Sequence, residues 1–323
     1  MFSFFKSEGK NKHAYTIAFY NLENLFDTKN DPNTLDDDFT PKGKKKWSLK
    51  RYKKKIKKIG NVIAQLGSEK STHSPAIIGV VEVENKSVLN DLVSSHHLKN
   101  KHYNIVHYDS PDERGIDVAL LYKKELFELL HAETYPLYLK NHNGERDYTR
   151  DILLVKGKLN GELIYVLVNH WPSRKTGNHN NSEKRIKAAQ LAVHIVDKIN
   201  KETVDAKIII MGDFNDDPTS KSVKSFLVNT QFYNPMERLL NKGLGSLKHD
   251  NIWHLFDQII FSKNFFNEEQ KKHSFKYAEV FDKHFLKTWI GKYKGKPYRT
   301  YAGNKYLGGL SDHFPVYIYL KQH

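Results

Sequence analysis

Apolar residues gather in short runs along the chain, and seven of these runs have the β-branched and aromatic content of strands: Tyr15 to Tyr20, Ala76 to Val81, Ile116 to Tyr122, Leu163 to Val168, Ala206 to Met211, Gln258 to Phe261 and Pro315 to Leu320. Elsewhere the apolar period lengthens to three or four. Leu49, Tyr52, Ile56, Ile59, Val62, Ile63 and Leu66 form one helical stripe behind Ser48 as N-cap. Ile186, Ala189, Val193 and Val196 form a second stripe after Ser182. A further helix through Phe226 is expected to open with Asp217 as N-cap and Pro218 at its first position. Residues 241–309 mix Gly, Lys and aromatics and predict long loops. No repeat of fixed period and no low-complexity linker interrupts the mixture of helix and strand. The expected organisation is an N-terminal extension over residues 1–14 and a single α/β domain over residues 15–323.

The polar residues at the ends of these runs are the informative ones. Four apolar runs lead into Asn21, Glu82, Asn169-His170 and Asp213, whereas Asp257 and Ser311-Asp312-His313 stand before the runs that follow them. A carboxylate at the mouth of a buried strand costs several kcal/mol unless it is paired or bound to a cation. If all six positions meet at one edge, the last two strands run antiparallel to the others. Glu82, Asp213, Asp312, Asn21 and Asn215 are hard oxygen donors of the kind Mg²⁺ prefers. His170 and His313 are suited to exchanging protons with phosphate oxygens, and Asp257 to orienting an imidazole. Together they describe metal-assisted hydrolysis of a phosphodiester.

Charge narrows the substrate. Lys and Arg number 52 against 37 Asp and Glu, a net charge of +15. Eleven basic residues and no acid lie between Lys42 and Lys58, leaving +4 for the other 306 residues. A segment so basic favours polyanions. On the helical stripe it turns Lys53, Lys54, Lys57 and Lys58 toward solvent, where they suit a nucleic-acid backbone, with a plain solvated face as the bland alternative. Cysteine is absent, which excludes disulfides, thiolate metal sites and cysteine nucleophiles. No apolar run approaches the roughly 20 residues of a spanning helix, and Met1 to Lys12 holds too few apolar residues for a signal-peptide core. The expectation is a cytoplasmic monomer with no transmembrane segment and no stable protein partner, or a secreted protein if the chain is a mature form.

Met211-Gly-Asp-Phe-Asn215, Gly309-Leu-Ser-Asp-His313, Phe19-Tyr-Asn-Leu-Glu23, Val80-Val-Glu82 and Val168-Asn-His-Trp-Pro-Ser-Arg174, taken in this chain, resemble the endonuclease/exonuclease/phosphatase superfamily of DNase I-like phosphodiesterases. The resemblance runs in the family's order from Tyr15 to Leu320. It implies a four-layer α/β sandwich, two mixed β-sheets packed face to face with flanking helices. It also implies Mg²⁺, or Mn²⁺ in its place, and hydrolysis of DNA or RNA, with small or lipid-linked phosphates as the alternative substrates. By position, Glu82 resembles the principal metal carboxylate, with Asn21, Glu23 and Asp312 as further metal contacts. Asp213 resembles the residue that aligns or deprotonates water, Asn215 a phosphate contact, His313 the catalytic histidine oriented by Asp257, and His170 the second histidine. Asp117 is offered as a support for His170.

Competing readings exist for several of these residues. Glu84 shares a strand face with Glu82 and competes for its role. Asp36-Asp-Asp38 reads as a solvated loop. His107, His142, His179, His254 and most other histidines lack metal spacing and read as surface or loop residues. Arg150 and Arg174 are phosphate-clamp candidates, since guanidinium meets phosphate bidentately, with an exposed ion pair as the alternative. Arg299 and the aromatics of Tyr298 to Leu307 lead into Asp312-His313 and suit a substrate groove.

Overall fold

The computed structural model of the protein describes residues 13–141, 143–174, 180–228 and 231–323. The expected extension therefore lies almost wholly outside the described residues, as do His142 and His179. In chain order the main strands are β1 (Ala14–Leu25), β2 (Ile77–Val83), β3 (Tyr103–His107), β4 (Asp117–Lys123), β5 (Phe127–Tyr135), β6 (Ile152–Leu159), β7 (Glu162–His170), β8 (Ile208–Asp213), β9 (Phe232–Tyr233), β10 (Asp257–Ser262), β11 (His273–Val280) and β12 (Val316–Gln322). The helices are α1 (Leu49–Gln65), α2 (Lys86–Val93), α3 (Asn180–Glu202), α4 (Lys221–Lys224) and α5 (Met236–Asn241).

The strands form two six-stranded mixed sheets, ordered β11-β12-β1-β2-β4-β3 and β9-β10-β8-β7-β6-β5. Strand alternation divides the second sheet between two environments. Leu153, Val155, Val166, Val168, Ile209, Met211, Ile259 and Phe261 face the first sheet. Leu154, Leu167, Ile208, Ile210 and Ile260 face outward and are covered by Ala188, Ala189, Ala192, Ile195 and Ile199 of α3. The inner layer is tight enough that a Cβ at Gly79 would sit 2.6 Å from Met211 Sδ. Helices α1 and α2 bury Tyr52, Ile56, Ile59, Leu89 and Leu92 in the cluster that holds the first sheet. This is the four-layer sandwich that the motifs imply.

Strand directions follow the argument from polar ends. β1 and β2 are parallel, as are β7 and β8; β12 is antiparallel to β1 and β10 to β8. Both parallel pairs therefore end, and both antiparallel strands begin, at one edge of the sandwich. Ser48 caps α1 as expected, accepting from Arg51 N at 3.4 Å, although Leu49 at the head of the stripe is exposed. The helix expected from Asp217 instead starts at Lys221. Asp217 is diverted because its carboxylate accepts from Leu255 N and pairs with His254 Nδ1, 2.8 Å away. Strands β3, β5, β6, β9 and β11 fall outside the apolar runs: β5 exposes Glu128 to His131, β6 carries Lys156 and Lys158, and β9 is only two residues long.

Candidate active site

At that edge Asn21, Glu82, His170, Asp213, Asp257 and His313 come together. Asp213 is paired in register with His170 on one side and Asp257 on the other. Asn21 Nδ2 donates to Glu82 Oε1 at 3.2 Å and Asp213 Oδ2 at 3.0 Å, so one amide joins carboxylates of both sheets. His170 Nε2 lies 3.8 Å from Glu82 Oε1 and 3.9 Å from Asp213 Oδ2. His313 Nδ1 meets Asp257 Oδ2 at 2.6 Å, leaving Nε2 4.0 Å from both Asp213 Oδ2 and Asp312 Oδ1.

Backbone irregularities aim these groups. Both β1 and β2 shift register at the edge, β2 between Val81 and Val83. Glu82 sits at that bulge with φ +60°, a left-handed conformation that a glutamate reaches only at a cost of order 1–3 kcal/mol. The Asn24 amide rewards it by donating to Glu82 Oε2 at 2.8 Å. Asn215 is also left-handed, φ +49°, and its N–H holds Asp213 Oδ1 at 2.9 Å. Gly212 is required before Asp213 because a Cβ there would lie 2.4 Å from the Asn169 carbonyl oxygen. Ser311, quoted within its motif but given no role, accepts from His313 N at 3.0 Å and donates to Asn21 O at 2.7 Å.

Burial, with Asp257 adding its charge and His313 opposing, pushes Asp213 up to about 6. The two histidines diverge. Burial alone would lower His313, but Asp257, Asp213 and Asp312 outweigh it and hold the imidazole well above the ordinary range. Burial, then the charges of Arg150, Arg114 and His313, drives His170 well below it. Among the described residues, His170 Nδ1 and Asp257 Oδ1 are buried without a hydrogen-bond partner. Carboxylates from several strands, with an amide and imidazoles between them and no thiolate, make a donor set suited to a hard divalent cation. Asp213, Asp257 and His313 each bring a donor atom within 4.8 Å of the others.

Several expected site residues are committed elsewhere. Asn21 turns its donor side to the carboxylates, while its Oδ1 accepts from Glu23 N at 2.9 Å. Glu23 is held by the distant loop at Thr300, whose N–H donates to it at 2.6 Å; burial and the charge of Asp312 push its carboxyl up to about 7. Asp312 borders the pocket and binds Arg299 at 2.9 Å. Asn215 Nδ2 is taken by Trp171 O at 2.9 Å. Arg150 is no exposed pair: it is buried, donating to Asp112 at 2.9 Å and Trp171 O at 2.8 Å. Arg174 holds Asp216 at 2.9 Å and lies 4.5 Å over Phe256. Asp117 supports His107 at 2.9 Å, not His170, and His107 is a half-buried strand residue whose side chain is covered. Glu84 holds Asp27 N, away from Asp213. Asp36 is buried too, accepting from Asp31 N at 3.1 Å, because the loop folds around it.

The basic helix does not show all its lysines to solvent. Lys53, Lys54 and Lys57 are exposed, but Lys58 is half-buried against Gly308 O and the Tyr298 ring. Lys55 is buried entirely and donates to Glu23 O. Arg51 covers one face of the Tyr306 ring at 4.2 Å, and Tyr301 is buried.

The sequence matches the profile of the Endonuclease/Exonuclease/phosphatase family over residues 16–322. No curated protein matches it by sequence. The fold is similar to that of D. rerio TDP2 humanized by 14 mutations, at 13% identity and TM-score 0.61, covering 96% of this chain and 100% of that one. It is similar to D. rerio TDP2 complexed with single strand DNA product, at 14% identity and TM-score 0.58, with 96% and 99% covered. It is also similar to a mannosyl-6-phosphatase of Bacteroides thetaiotaomicron, at 19% identity and TM-score 0.57, with 95% and 99% covered. Among the described residues, no helix is long and apolar enough to cross a membrane.

Proposed function

Because the chain belongs to the endonuclease/exonuclease/phosphatase family, whose members hydrolyse phosphate esters, we propose that it is a Mg²⁺-dependent nuclease cleaving phosphodiesters of DNA or RNA. The observation that carries this reading is the meeting of Glu82, Asp213, His170 and the His313–Asp257 pair at one edge. Glu82, with Asp312 at the rim, would hold the cation; Mn²⁺ is an acceptable substitute. The bound cation supplies neutralisation of charge developing on the phosphoryl oxygens. Asp213, raised toward neutrality and fixed by Asn21 and Asn215, aligns a water and accepts its proton. His313, kept charged by Asp257, donates from Nε2 to a phosphoryl oxygen. Neutral His170 presents Nε2 from the other side. Lys53, Lys54 and Lys57 are proposed to meet the substrate backbone.

A second reading draws on the likeness to the mannosyl-6-phosphatase: a phosphatase, or a sphingomyelinase-type enzyme, acting on small or lipid-linked phosphates. Plasmid, single-stranded DNA, RNA, an abasic duplex, sphingomyelin and inositol phosphates, each with Mg²⁺, Mn²⁺ or EDTA, separate the two. Cleavage of a nucleic acid that needs the cation supports the first. Turnover confined to sphingomyelin or a phosphomonoester replaces it with the second.

A further inference from the structure

Beside the catalytic edge, residues 285–298 form a strap that the proposed chemistry leaves unused. Its base is closed by Tyr298 N donating to Leu286 O at 2.7 Å and Thr288 N to Lys296 O at 2.8 Å. Its tip carries Trp289, 61% exposed, and Ile290, 83% exposed. Trp289 is nonetheless fixed. Its ring stacks on His284 at 5.0 Å and 23°, and Nε1 donates to His284 O at 3.1 Å, so the exposed ring is held in one orientation.

Under that ring is a cleft of about 500 Å³ walled by Phe285, Trp289, Ile290, Tyr298 and Leu310, with Lys58 and Lys287 at its rim. Thr288 also lines a narrower cleft of about 70 Å³ that contains Lys248, Lys296, Arg299 and Asp312. The apolar cleft thus adjoins, at Thr288, a cationic cleft that reaches Asp312 at the border of the catalytic edge. Lys292 and Lys294 stand exposed on the same strap.

We infer that this cleft is a subsite for an unpaired base of a nucleic-acid strand whose scissile phosphate lies at the catalytic edge. The inference rests on the nuclease reading. A base brings a flat π face for Trp289 and a chain of phosphates for the lysines between cleft and edge, and a pre-oriented ring loses little freedom on stacking. An anionic membrane would also meet an apolar tip among lysines, but it has no use for a walled cleft that adjoins a cationic one ending at Asp312.

The test compares a single strand of about ten nucleotides, within the range one such groove spans, with the p-nitrophenyl ester of thymidine 5′-phosphate. Base stacking on an aromatic is commonly strong enough that Trp289→Ala lowers the ratio of kcat/KM, strand over ester, by about tenfold or more. Trp289→Phe restores most of it. An abasic residue placed at one position of the strand lowers the wild-type ratio equally and adds nothing to Trp289→Ala. A strand cleaved with an unchanged ratio by Trp289→Ala overturns the subsite alone. Failure of the wild type to cleave any strand, with turnover of small or lipid phosphates intact, overturns the nuclease reading and the subsite together. Loss of binding to phosphatidylserine vesicles by Trp289→Ala, with the strand ratio unmoved, reassigns the strap to a membrane surface.

Discussion

His170 and His313 flank the same carboxylate, at 3.9 and 4.0 Å from Asp213 Oδ2, yet the protein holds them in opposite states. On the His313 side the neighbours are Asp257, Asp213 and Asp312, and the imidazole keeps its proton. On the His170 side Glu82 and Asp213 also stand within 4 Å, but burial, then the charges of Arg150, Arg114 and His313, all act to lower the imidazole, with Arg150 itself locked to Asp112 and the Trp171 carbonyl. Two identical side chains are thus shifted in opposite directions, one by the carboxylates around it and the other by burial and nearby cations. Residue type alone does not set the direction; the charged groups packed on each histidine do.

The largest expected effect falls on the residues the two sides share. Asp213→Asn and His313→Ala should each lower kcat/KM on a phosphodiester by about a thousandfold, inside the range typical of positioned acid–base groups, and EDTA should abolish turnover until Mg²⁺ is returned. Turnover by either variant within tenfold of wild type would remove the assignment. Asp257→Asn leaves the imidazole in place without its counter-charge, so a loss of about a hundredfold is expected. With it, the His313 resonance should titrate lower by NMR, while that of His170 moves little.

A smaller effect concerns stability in EDTA. His313, raised in the fold, contributes stability that is complete below about pH 6.5 and lost as pH rises through its folded value. His170, lowered in the fold, costs nothing above about pH 6.5, and stability is lost as pH falls from there toward its folded value. Thermal midpoints measured across pH should therefore fall on both limbs, by about 2–4 °C per kcal/mol. His170→Gln should flatten the acid limb and His313→Gln the alkaline one. Both variants altering the same limb would show that the two states are not distinct. The mildest expected change comes from reversing Lys53, Lys54 and Lys57 to Glu: the slope of log affinity for DNA against log salt should fall by about one for each lysine that meets a phosphate. An unchanged slope would make them solvated residues only.

Much of this arrangement was legible in the chain. Polar residues ending some apolar runs and preceding others implied antiparallel closing strands, and β10 and β12 run that way. The period of three to four and Ser48 located α1. What escaped depends on tertiary contacts. Nothing local marks Lys55 as the one lysine of a basic run that is buried, since its partner is the Glu23 carbonyl, brought to the helix by β1. Glu23 looks like a pocket carboxylate until the loop at Thr300 claims it. Arg150 looks like a clamp until Asp112, which no motif marks, binds it. The left-handed turn at Glu82 is paid for by the Asn24 amide and has no signature in residue type. Trp289 lay in a stretch readable only as irregular loop.

The place of β12 has a consequence for when this chemistry first exists. The last strand of the chain is inserted between β11 and the first strand, β1, and His313 stands just ahead of it. Until Val316 to Leu320 have paired with Phe19 to Tyr15, β1 is an open edge and His313 has no fixed approach to Asp257. Glu82, His170 and Asp213 therefore do not make the pocket by themselves: it is complete only once the closing strand is paired, and loss of that pairing would open it with all three side chains intact.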